Sequence, residues 1–442
     1  GHCLMLKPFL KRIFTKDTFA SNVATLGTGS FIGQLSTLAA APLLARLFLP
    51  EAFGELQYIL SIALILGAIS TLRFEMALPL ANDNSAAKHL LVLAILLALG
   101  TALIVTLVFL LDPPIIASIY SSISSKGLIL FIPLILFFEA QNSIFSYWFT
   151  RTKNFKVPSL ARSFSGAGTA LAQTAIALGG IVSGLGLIGG YILGQISSFV
   201  WYVYMFLRTG EKIPVKSISL TGIFEQAREH KKFPLFSSWN VVLNTISRNL
   251  PPLLLVSYFS VEEAGYYAIG IRLLNMPLNT FGMSVGQVYY QQTARYKEQG
   301  IAMLPLMRST ILKLLAIIIL PLLMIFFFGE QLFGFVFGES WITAGTIAAI
   351  MVPFYFMRFI SSPLSSIFAV MGKQHLGLIW QLAYTLGTFA SFYFTRTSND
   401  FLLAIKVYSL VGSALFFTLL LVTMYMTRAS DRRTKLKYEG SN

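Results

Sequence analysis

The fold is decided by stretches such as residues 90–111, which read LLVLAILLALGTALIVTLVFLL and carry no charged side chain. A helix of about 20 apolar residues is long enough to cross the ~30 Å hydrocarbon core of a bilayer. Similar runs recur along all 442 residues, of which 55% are apolar and only 12% charged, with a mean hydropathy of +0.72. This pattern predicts an all-α, polytopic membrane protein and excludes a soluble enzyme, a nucleic-acid-binding domain and a secreted disulfide scaffold.

The apolar runs predict about twelve transmembrane helices, although ten or fourteen also fit. The predicted spans are residues 22–48, 56–80, 90–111, 127–150, 158–180, 185–207, 234–258, 265–292, 304–328, 341–369, 376–396 and 401–427. The longest hydrophilic stretch, 208–233, separates them into an N-lobe, 22–207, and a C-lobe, 234–427. Residues 1–21 form a predicted cytoplasmic N-terminal segment, and residues 428–442 form a basic cytoplasmic tail.

The distribution of basic residues predicts the orientation. The chain carries 33 Lys and Arg against 18 Asp and Glu, a net charge of +15. If the N-terminus, with Lys7, Lys11, Arg12 and Lys16, lies in the cytoplasm and the spans alternate, 22 of the 33 basic residues fall in cytoplasmic segments. Cytoplasmic loops accumulate Lys and Arg, so both termini are expected inside the cell. The positive charge then reflects topology, and no nucleic-acid partner is expected.

A short internal repeat relates the two lobes. Residues 41–54, APLLARLFLPEAFG, align with residues 252–265, PLLLVSYFSVEEAG, at a constant offset of 211 positions. The alignment pairs Gly54 with Gly265, and both copies follow the first span of their lobe. Because six spans is an even number, the two lobes are expected to share their topology and to be pseudo-symmetric.

Ionisable residues inside the spans are the candidate functional groups, because each charge at membrane depth costs about 2.5–3.5 kcal/mol. Arg248, Arg272 and Arg358 lie deep in spans of the C-lobe, and none has an acid one helical turn away. Arg73 and Arg162 lie nearer the cytoplasmic ends of N-lobe spans. Several other cations lie near span ends and can reach water along their own side chains. They are Arg46, Arg308, Lys313, Arg396 and Lys406.

The five deeper arginines outnumber the acids inside the spans, which are Glu75 and Glu139. An anionic ligand would balance this charge, and a guanidinium can bond two phosphate oxygens at once. We therefore predict a wet central cavity in which Arg73, Arg162, Arg248, Arg272 and Arg358 bind a phosphate-bearing substrate. The alternative is that these arginines pair with backbone carbonyls or lipid headgroups.

Glu75 and Glu139 are candidates for coupling transport to H⁺ or Na⁺, and the alternative for each is a salt bridge. Residues two apart point to different faces of a helix, so Glu75 is expected to find its partner on another helix rather than at Arg73. The four histidines and the single Cys3 offer no metal-ligand spacing, and the chain lacks the phosphate-binding loop of ATPases. No metal, catalytic residue or cofactor is expected.

Four motifs resemble those of bacterial O-antigen flippases, which move lipid-linked oligosaccharides and belong to the multidrug/oligosaccharidyl-lipid/polysaccharide exporter superfamily. These motifs are LRFEMALPL at 72–80, GQVYYQ at 286–291, ESWITAG at 339–345, and RFISSPL at 358–364 followed by MGKQ at 371–374. The resemblance extends from about residue 20 to residue 425. Of the predicted site residues, only Arg73, Glu75 and Arg358 lie within these motifs, so the resemblance implies a role for these three alone.

The resemblance implies a V-shaped pair of six-helix lobes around a central cavity, in a bacterial inner membrane. Such a protein would alternate between inward- and outward-open states and move an undecaprenyl-diphosphate-linked glycan to the periplasmic leaflet. It would couple to H⁺ or Na⁺ and could associate with the polysaccharide polymerase machinery. Two other functions stay open: a multidrug or toxin exporter of the same superfamily, and an enzyme, namely a membrane glycan polymerase or ligase.

Overall fold

The computed structural model describes residues 19–111, 123, 126–209, 218–231 and 233–439. Every regular element in these ranges is helical, and no strand occurs among the described residues. Several predicted basic groups lie outside the described residues. They are Lys7, Lys11, Arg12 and Lys16 of the N-terminal segment, and Lys212, Lys216 and Lys232 of the predicted connection 208–233.

The chain divides into two compact units. The first unit comprises Gly1–Phe48 and Ile62–Val242, and the second comprises Leu49–Ser61 and Leu243–Asn442. The longer α-helices of the described ranges, leaving out the single turn Ile367–Val370, are, in chain order, α1 (Phe19–Leu47), α2 (Pro50–Gly67), α3 (Asn84–Leu110), α4 (Phe131–Arg151), α5 (Lys156–Leu178), α6 (Gly184–Arg208), α7 (Leu220–Glu229), α8 (Ser238–Tyr258), α9 (Val261–Pro277), α10 (Met283–Glu298), α11 (Leu304–Phe337), α12 (Ile342–Leu364), α13 (Gln374–Thr395) and α14 (Phe401–Glu439). The predicted lobe boundaries, 22–207 and 234–427, stay predictions.

The helices follow the hydropathy pattern, since every predicted span overlaps a described helix. Among the described residues, six helical segments are by themselves long and apolar enough to cross a membrane. They are Asn84–Leu110, Lys126–Arg151, Gly184–Arg208, Leu304–Phe337, Glu339–Val370 and Phe401–Arg432. On α3, Leu103, Ile104 and Leu107 are 57–63% exposed, as expected of side chains that face lipid. The fold is therefore that of an all-α, polytopic membrane protein, as the sequence predicts.

The predicted span 56–80 is wrong at its C-terminal end, because α2 ends at Gly67. Leu72 and Arg73 have φ values of 49° and 63°, and two consecutive left-handed residues cannot continue a right-handed helix. The Ser70 hydroxyl donates to the Gly67 carbonyl over 2.8 Å, so local side-chain bonds satisfy backbone groups that the helix leaves open. The chain then re-forms as a 3-10 helix, Phe74–Leu80.

Each unit has an aromatic core next to the ionisable residues. In the first unit, Phe149 of α4 stacks on Tyr202 of α6 with ring centroids 5.9 Å apart. In the second unit, the Phe354 ring of α12 packs against Tyr408 and Phe416 of α14 at 5.3 and 5.5 Å. Because such rings bury large apolar areas and fix the spacing of their helices, they hold the polar side chains beside them in place.

Within the second unit, the two copies of the repeat contact each other reciprocally. A Cβ atom at Gly54 would overlap the carbonyl oxygen of Val261, and a Cβ at Gly265 would overlap the carbonyl oxygen of Pro50. Val261 is the residue that the 211-position offset pairs with Pro50. A contact in which each copy presents the same surface to the other is the signature of a local two-fold axis. The N-terminal turns of α2 and α9 therefore cross on their glycines.

We expect Gly54→Ala to lower the free energy of unfolding by about 1–3 kcal/mol, because the added methyl group has no space beside Val261. Thermal unfolding of the purified protein in detergent measures the change. The matched control is Gly100→Ala in α3, where a Cβ meets no atom within 4 Å. Equal unfolding temperatures for the two variants would contradict the close crossing of α2 and α9.

Candidate functional site

The seven predicted site residues occupy three places in the structure. Arg73 and Glu75 lie in the turn that follows α2, and Glu139 and Arg162 lie on α4 and α5 of the first unit. Arg248, Arg272 and Arg358 lie on α8, α9 and α12 of the second unit. The role of each residue in binding or ion coupling stays a prediction.

Arg73 and Glu75 form an ion pair with each other, with Nη1 and Oε1 3.1 Å apart. The expectation that Glu75 pairs with another helix was therefore wrong. It assumed an α-helix, whereas the left-handed Arg73 and the 3-10 helix after it turn both side chains to the same side. The Thr71 hydroxyl also donates to the Glu75 carboxylate, and only 2% of the Glu75 side chain is exposed. The Arg73 charge is thus neutralised within its own turn.

Glu139 lies in a polar hydrogen-bond network between α4 and α6. Its Oε1 atom accepts hydrogen bonds from the Tyr191 hydroxyl and, over 2.8 Å, from Gln195 Nε2. Gln195 Oε1 in turn accepts from Asn142 Nδ2 at 2.8 Å and from the Ser165 hydroxyl at 3.3 Å. The network ties α4, α5 and α6 together through one carboxylate and two amides.

A cavity of about 520 Å³ opens beside this network, and we call it the Glu139 cavity. Its lining residues come from three helices of the first unit. They are Glu139, Asn142, Ser143, Ser146, Tyr147 and Thr150 of α4, Arg162 and Ser165 of α5, and Gln195, Ser198 and Tyr202 of α6. The structure thus brings Glu139 and Arg162 to one cavity, a proximity that the sequence did not predict. Arg162 Nη1 donates to the Ser30 hydroxyl over 2.9 Å.

A pattern of polar residues in the sequence indicates this cavity, and a search for charged residues inside the spans does not reveal it. On α4, Glu139, Asn142, Ser143 and Ser146 are spaced at i, i+3, i+4 and i+7, which places them on one helix face inside an apolar span. A polar stripe of this kind indicates a face that lines protein or water instead of lipid. The partners on α6 could not be identified in this way, because the pairing of helices is a tertiary property.

In the second unit, Arg248 and Arg358 both adjoin residues that contact α13. The Ser247 hydroxyl, next to Arg248, accepts a hydrogen bond from Gln381 Nε2 over 2.6 Å, and the Phe354 ring, 5.8 Å from the Arg358 guanidinium, stacks on Tyr384. No carboxylate of the described residues forms an ion pair with either side chain. Arg248 is exposed and Arg358 is half-buried, so neither guanidinium is sealed in the apolar core. Arg272 is half-buried on α9 and has interactions of its own. We refer to Arg248 and Arg358 as the arginine pair.

Tyrosine side chains surround the arginine pair. The Arg358 guanidinium lies 5.8 Å from the Phe354 ring centroid and 5.7 Å from the Tyr355 ring centroid. Tyr384 and Tyr408 pack against the same Phe354 ring, with centroids 6.3 and 5.3 Å away, and their hydroxyls are 2.9 Å apart. Aromatic faces and hydroxyl oxygens stabilise a guanidinium without cancelling its charge. The Arg358 charge is therefore stabilised by its aromatic neighbours without being cancelled.

We expect Arg73 and Glu75 to be thermodynamically coupled by about 1–3 kcal/mol, because a largely buried ion pair leaves an uncompensated charge when one partner is removed. The measurement is a double-mutant cycle of Arg73→Met and Glu75→Gln, with the free energy of unfolding determined in detergent. Additive effects of the two substitutions, within about 0.5 kcal/mol, would show that the pair contributes no coupling.

The family model described as "polysaccharide biosynthesis protein" matches residues 43–346. None of the proteins with curated descriptions matches the chain in sequence.

Solved structures of similar fold include the lipid II flippase MurJ in an inward closed conformation, with 14% identity, a TM-score of 0.68, and coverage of 94% of this chain and 93% of that one. An inward-facing multidrug resistance transporter of the MATE family, within the MOP superfamily, has 15% identity, a TM-score of 0.66 and coverage of 93% and 95%. A MOP superfamily transporter from Pyrococcus furiosus, described by the reverse polarity of its binding pocket, has 13% identity, a TM-score of 0.52 and coverage of 94% and 96%. At these identities, the likeness is one of fold.

Proposed function

The chain is a multi-pass membrane protein that belongs to the polysaccharide biosynthesis protein family, and from that premise we propose that it is a flippase for a lipid-linked oligosaccharide. The proposed substrate is an undecaprenyl-diphosphate-linked repeat unit of O-antigen or a related surface polysaccharide. It moves by alternating access from the cytoplasmic to the periplasmic leaflet of the inner membrane, with both termini in the cytoplasm. H⁺ or Na⁺ coupling and association with a polysaccharide polymerase are part of the proposal.

The arginine pair is the observation that carries this proposal. Two like charges held near each other at membrane depth are unfavourable unless a counter-charge joins them. A diphosphate supplies two negatively charged groups with many acceptor oxygens, and each guanidinium can bond two of those oxygens. The surrounding tyrosine hydroxyls offer further donors. The chemistry of the pair therefore fits the headgroup of a lipid diphosphate.

The positive charge of the arginine pair argues against the multidrug-exporter alternative. An exporter of organic cations needs an acidic cavity, whereas the arginine pair favours anionic cargo. The Pyrococcus furiosus transporter is itself described by a reversed pocket polarity and a different function, so this fold carries pockets of more than one charge. The deletion experiment below separates the flippase from a polymerase or ligase.

Deletion of the gene in its host tests the function directly. We expect single repeat units on undecaprenyl diphosphate to accumulate in the cytoplasmic leaflet, because their synthesis continues while their transfer stops. Accessibility of the glycan to a membrane-impermeant lectin, in intact spheroplasts and in lysed membranes, measures which leaflet holds them. Single units exposed at the periplasmic face would contradict the flippase and indicate a polymerase.

We expect Arg358→Gln to slow transport at least about tenfold, since the loss of one charge-assisted hydrogen bond is worth about 1.5–3 kcal/mol. The assay uses full-length protein in proteoliposomes that contain radiolabelled lipid-linked intermediate extracted from the deletion strain. Lectin accessibility over time reports its transfer. The matched control is Arg308→Gln on α11, an exposed arginine near the end of its predicted span. An unchanged rate in a folded Arg358→Gln protein would remove the arginine pair from the mechanism.

A further inference from the structure

We propose that the Glu139 cavity of the first unit is a saccharide-binding subsite, which takes the sugar residues of the substrate and not its diphosphate. This inference rests on the proposed flippase function, and it assigns the glycan and the diphosphate to separate groups of residues. Three features of the cavity support it, namely its unsatisfied hydrogen-bond acceptors, its charge and its size.

The cavity contains hydrogen-bond acceptors that no side chain satisfies. Asn142 directs its amide Nδ2 to Gln195, whereas its buried Oδ1 atom has no hydrogen-bond partner. Both donors that reach Glu139 converge on Oε1, so Oε2 takes part in neither bond. A buried acceptor without a donor is destabilising, so a ligand that donates hydrogen bonds there is favoured. Sugar hydroxyl and acetamido N–H groups are donors, whereas an ionised diphosphate has none.

Charge leads to the same assignment. Glu139 and Arg162 line the same cavity, so their opposite charges offset each other and leave no net positive charge to attract a diphosphate. Arg162 Nη1 also donates a hydrogen bond to the neutral Ser30 hydroxyl. Hydroxyls of Ser143, Ser146 and Ser198 complete a wall that both donates and accepts hydrogen bonds. Such a mixture of amides, hydroxyls and a carboxylate suits a neutral polyol better than an anion.

The size of the cavity distinguishes a saccharide from a single ion. A volume of about 520 Å³ lies within the ~300–1,000 Å³ range of small-molecule sites, and it is far larger than a bound cation requires. The half-buried ring of Tyr147 adds apolar surface to the polar wall, as in sites that hold the body of a ligand as well as its polar groups. A glycan of one or two residues is the ligand class that uses all of these features.

Cysteine protection tests the assignment, because Cys3 is the only cysteine of the chain and can be replaced by Ser. On that background, Ser146→Cys reports on the Glu139 cavity, and Asn244→Cys, exposed one turn before Arg248, reports on the arginine pair. Maleimide reaction rates of full-length protein in detergent are measured with two probes. The first is the lipid-linked intermediate extracted from the deletion strain, and the second is undecaprenyl diphosphate without sugar.

We expect the intermediate to slow labelling at both cysteines by about tenfold, and undecaprenyl diphosphate to slow labelling at Asn244→Cys alone. Protection of Ser146→Cys by undecaprenyl diphosphate would overturn the assignment and make the cavity a phosphate or lipid site. Protection of Asn244→Cys alone by the intermediate would also overturn it, yet leave the flippase function intact. If neither probe slowed labelling at Ser146→Cys or at Asn244→Cys, the result would count against the flippase function itself.

Two further variants keep the test decisive if Ser146→Cys does not fold. Ser143→Cys provides a second reporter on the same wall of the cavity. Asn142→Leu, which removes the open acceptor, should reduce protection of the cavity reporter by the intermediate about tenfold. The same variant should leave protection of Asn244→Cys by undecaprenyl diphosphate unchanged. Loss of both effects would mean that Asn142 acts on the fold and not on the saccharide.

Discussion

A charged side chain in a membrane-spanning segment must be compensated, and this constraint organises the ionisable residues of the protein. Arg73 is compensated locally, because Glu75 lies 3.1 Å away in the same turn. Arg358 is compensated differently, by the rings of Phe354 and Tyr355, which leave its charge in place. The first arrangement is self-sufficient, whereas the second has a positive charge to share with a ligand. The contrast separates a structural arginine from a candidate binding group.

The same reasoning gives the two units complementary chemistry. The arginine pair of the second unit offers donors and positive charge, which suit an acceptor-rich diphosphate. The Glu139 cavity of the first unit has open acceptors at Asn142 and a carboxylate, which suit a donor-rich sugar. A lipid-linked oligosaccharide contains both kinds of group in one molecule. If the two proposed sites act as inferred, they would select it over a lipid phosphate without sugar.

Hydropathy predicted the positions of the helices well, because apolar runs such as residues 90–111 have no other stable conformation in lipid. Hydropathy failed at residues 68–80, because α2 ends at Gly67 and the left-handed residues Leu72 and Arg73 cannot continue it. That failure carried over to the site, since the pairing of Arg73 with Glu75 depends on the turn. The sequence also identified Arg248, Arg358 and Glu139 as unusual charges. Their neighbours, Tyr384 and Gln195, come from other helices, and no periodicity within one span could reveal them.

The central claim is that the arginine pair binds a diphosphate headgroup, and native mass spectrometry of the full-length protein in detergent tests it most directly. Competition among undecaprenyl diphosphate, undecaprenyl monophosphate and undecaprenol measures what the headgroup contributes to binding. The account predicts the strongest binding for the diphosphate, then the monophosphate, then the alcohol, and a collapse of these differences in the folded Arg248→Gln/Arg358→Gln protein. Equal binding of the three lipids to the wild-type protein, or an unchanged order in the double variant, would contradict it.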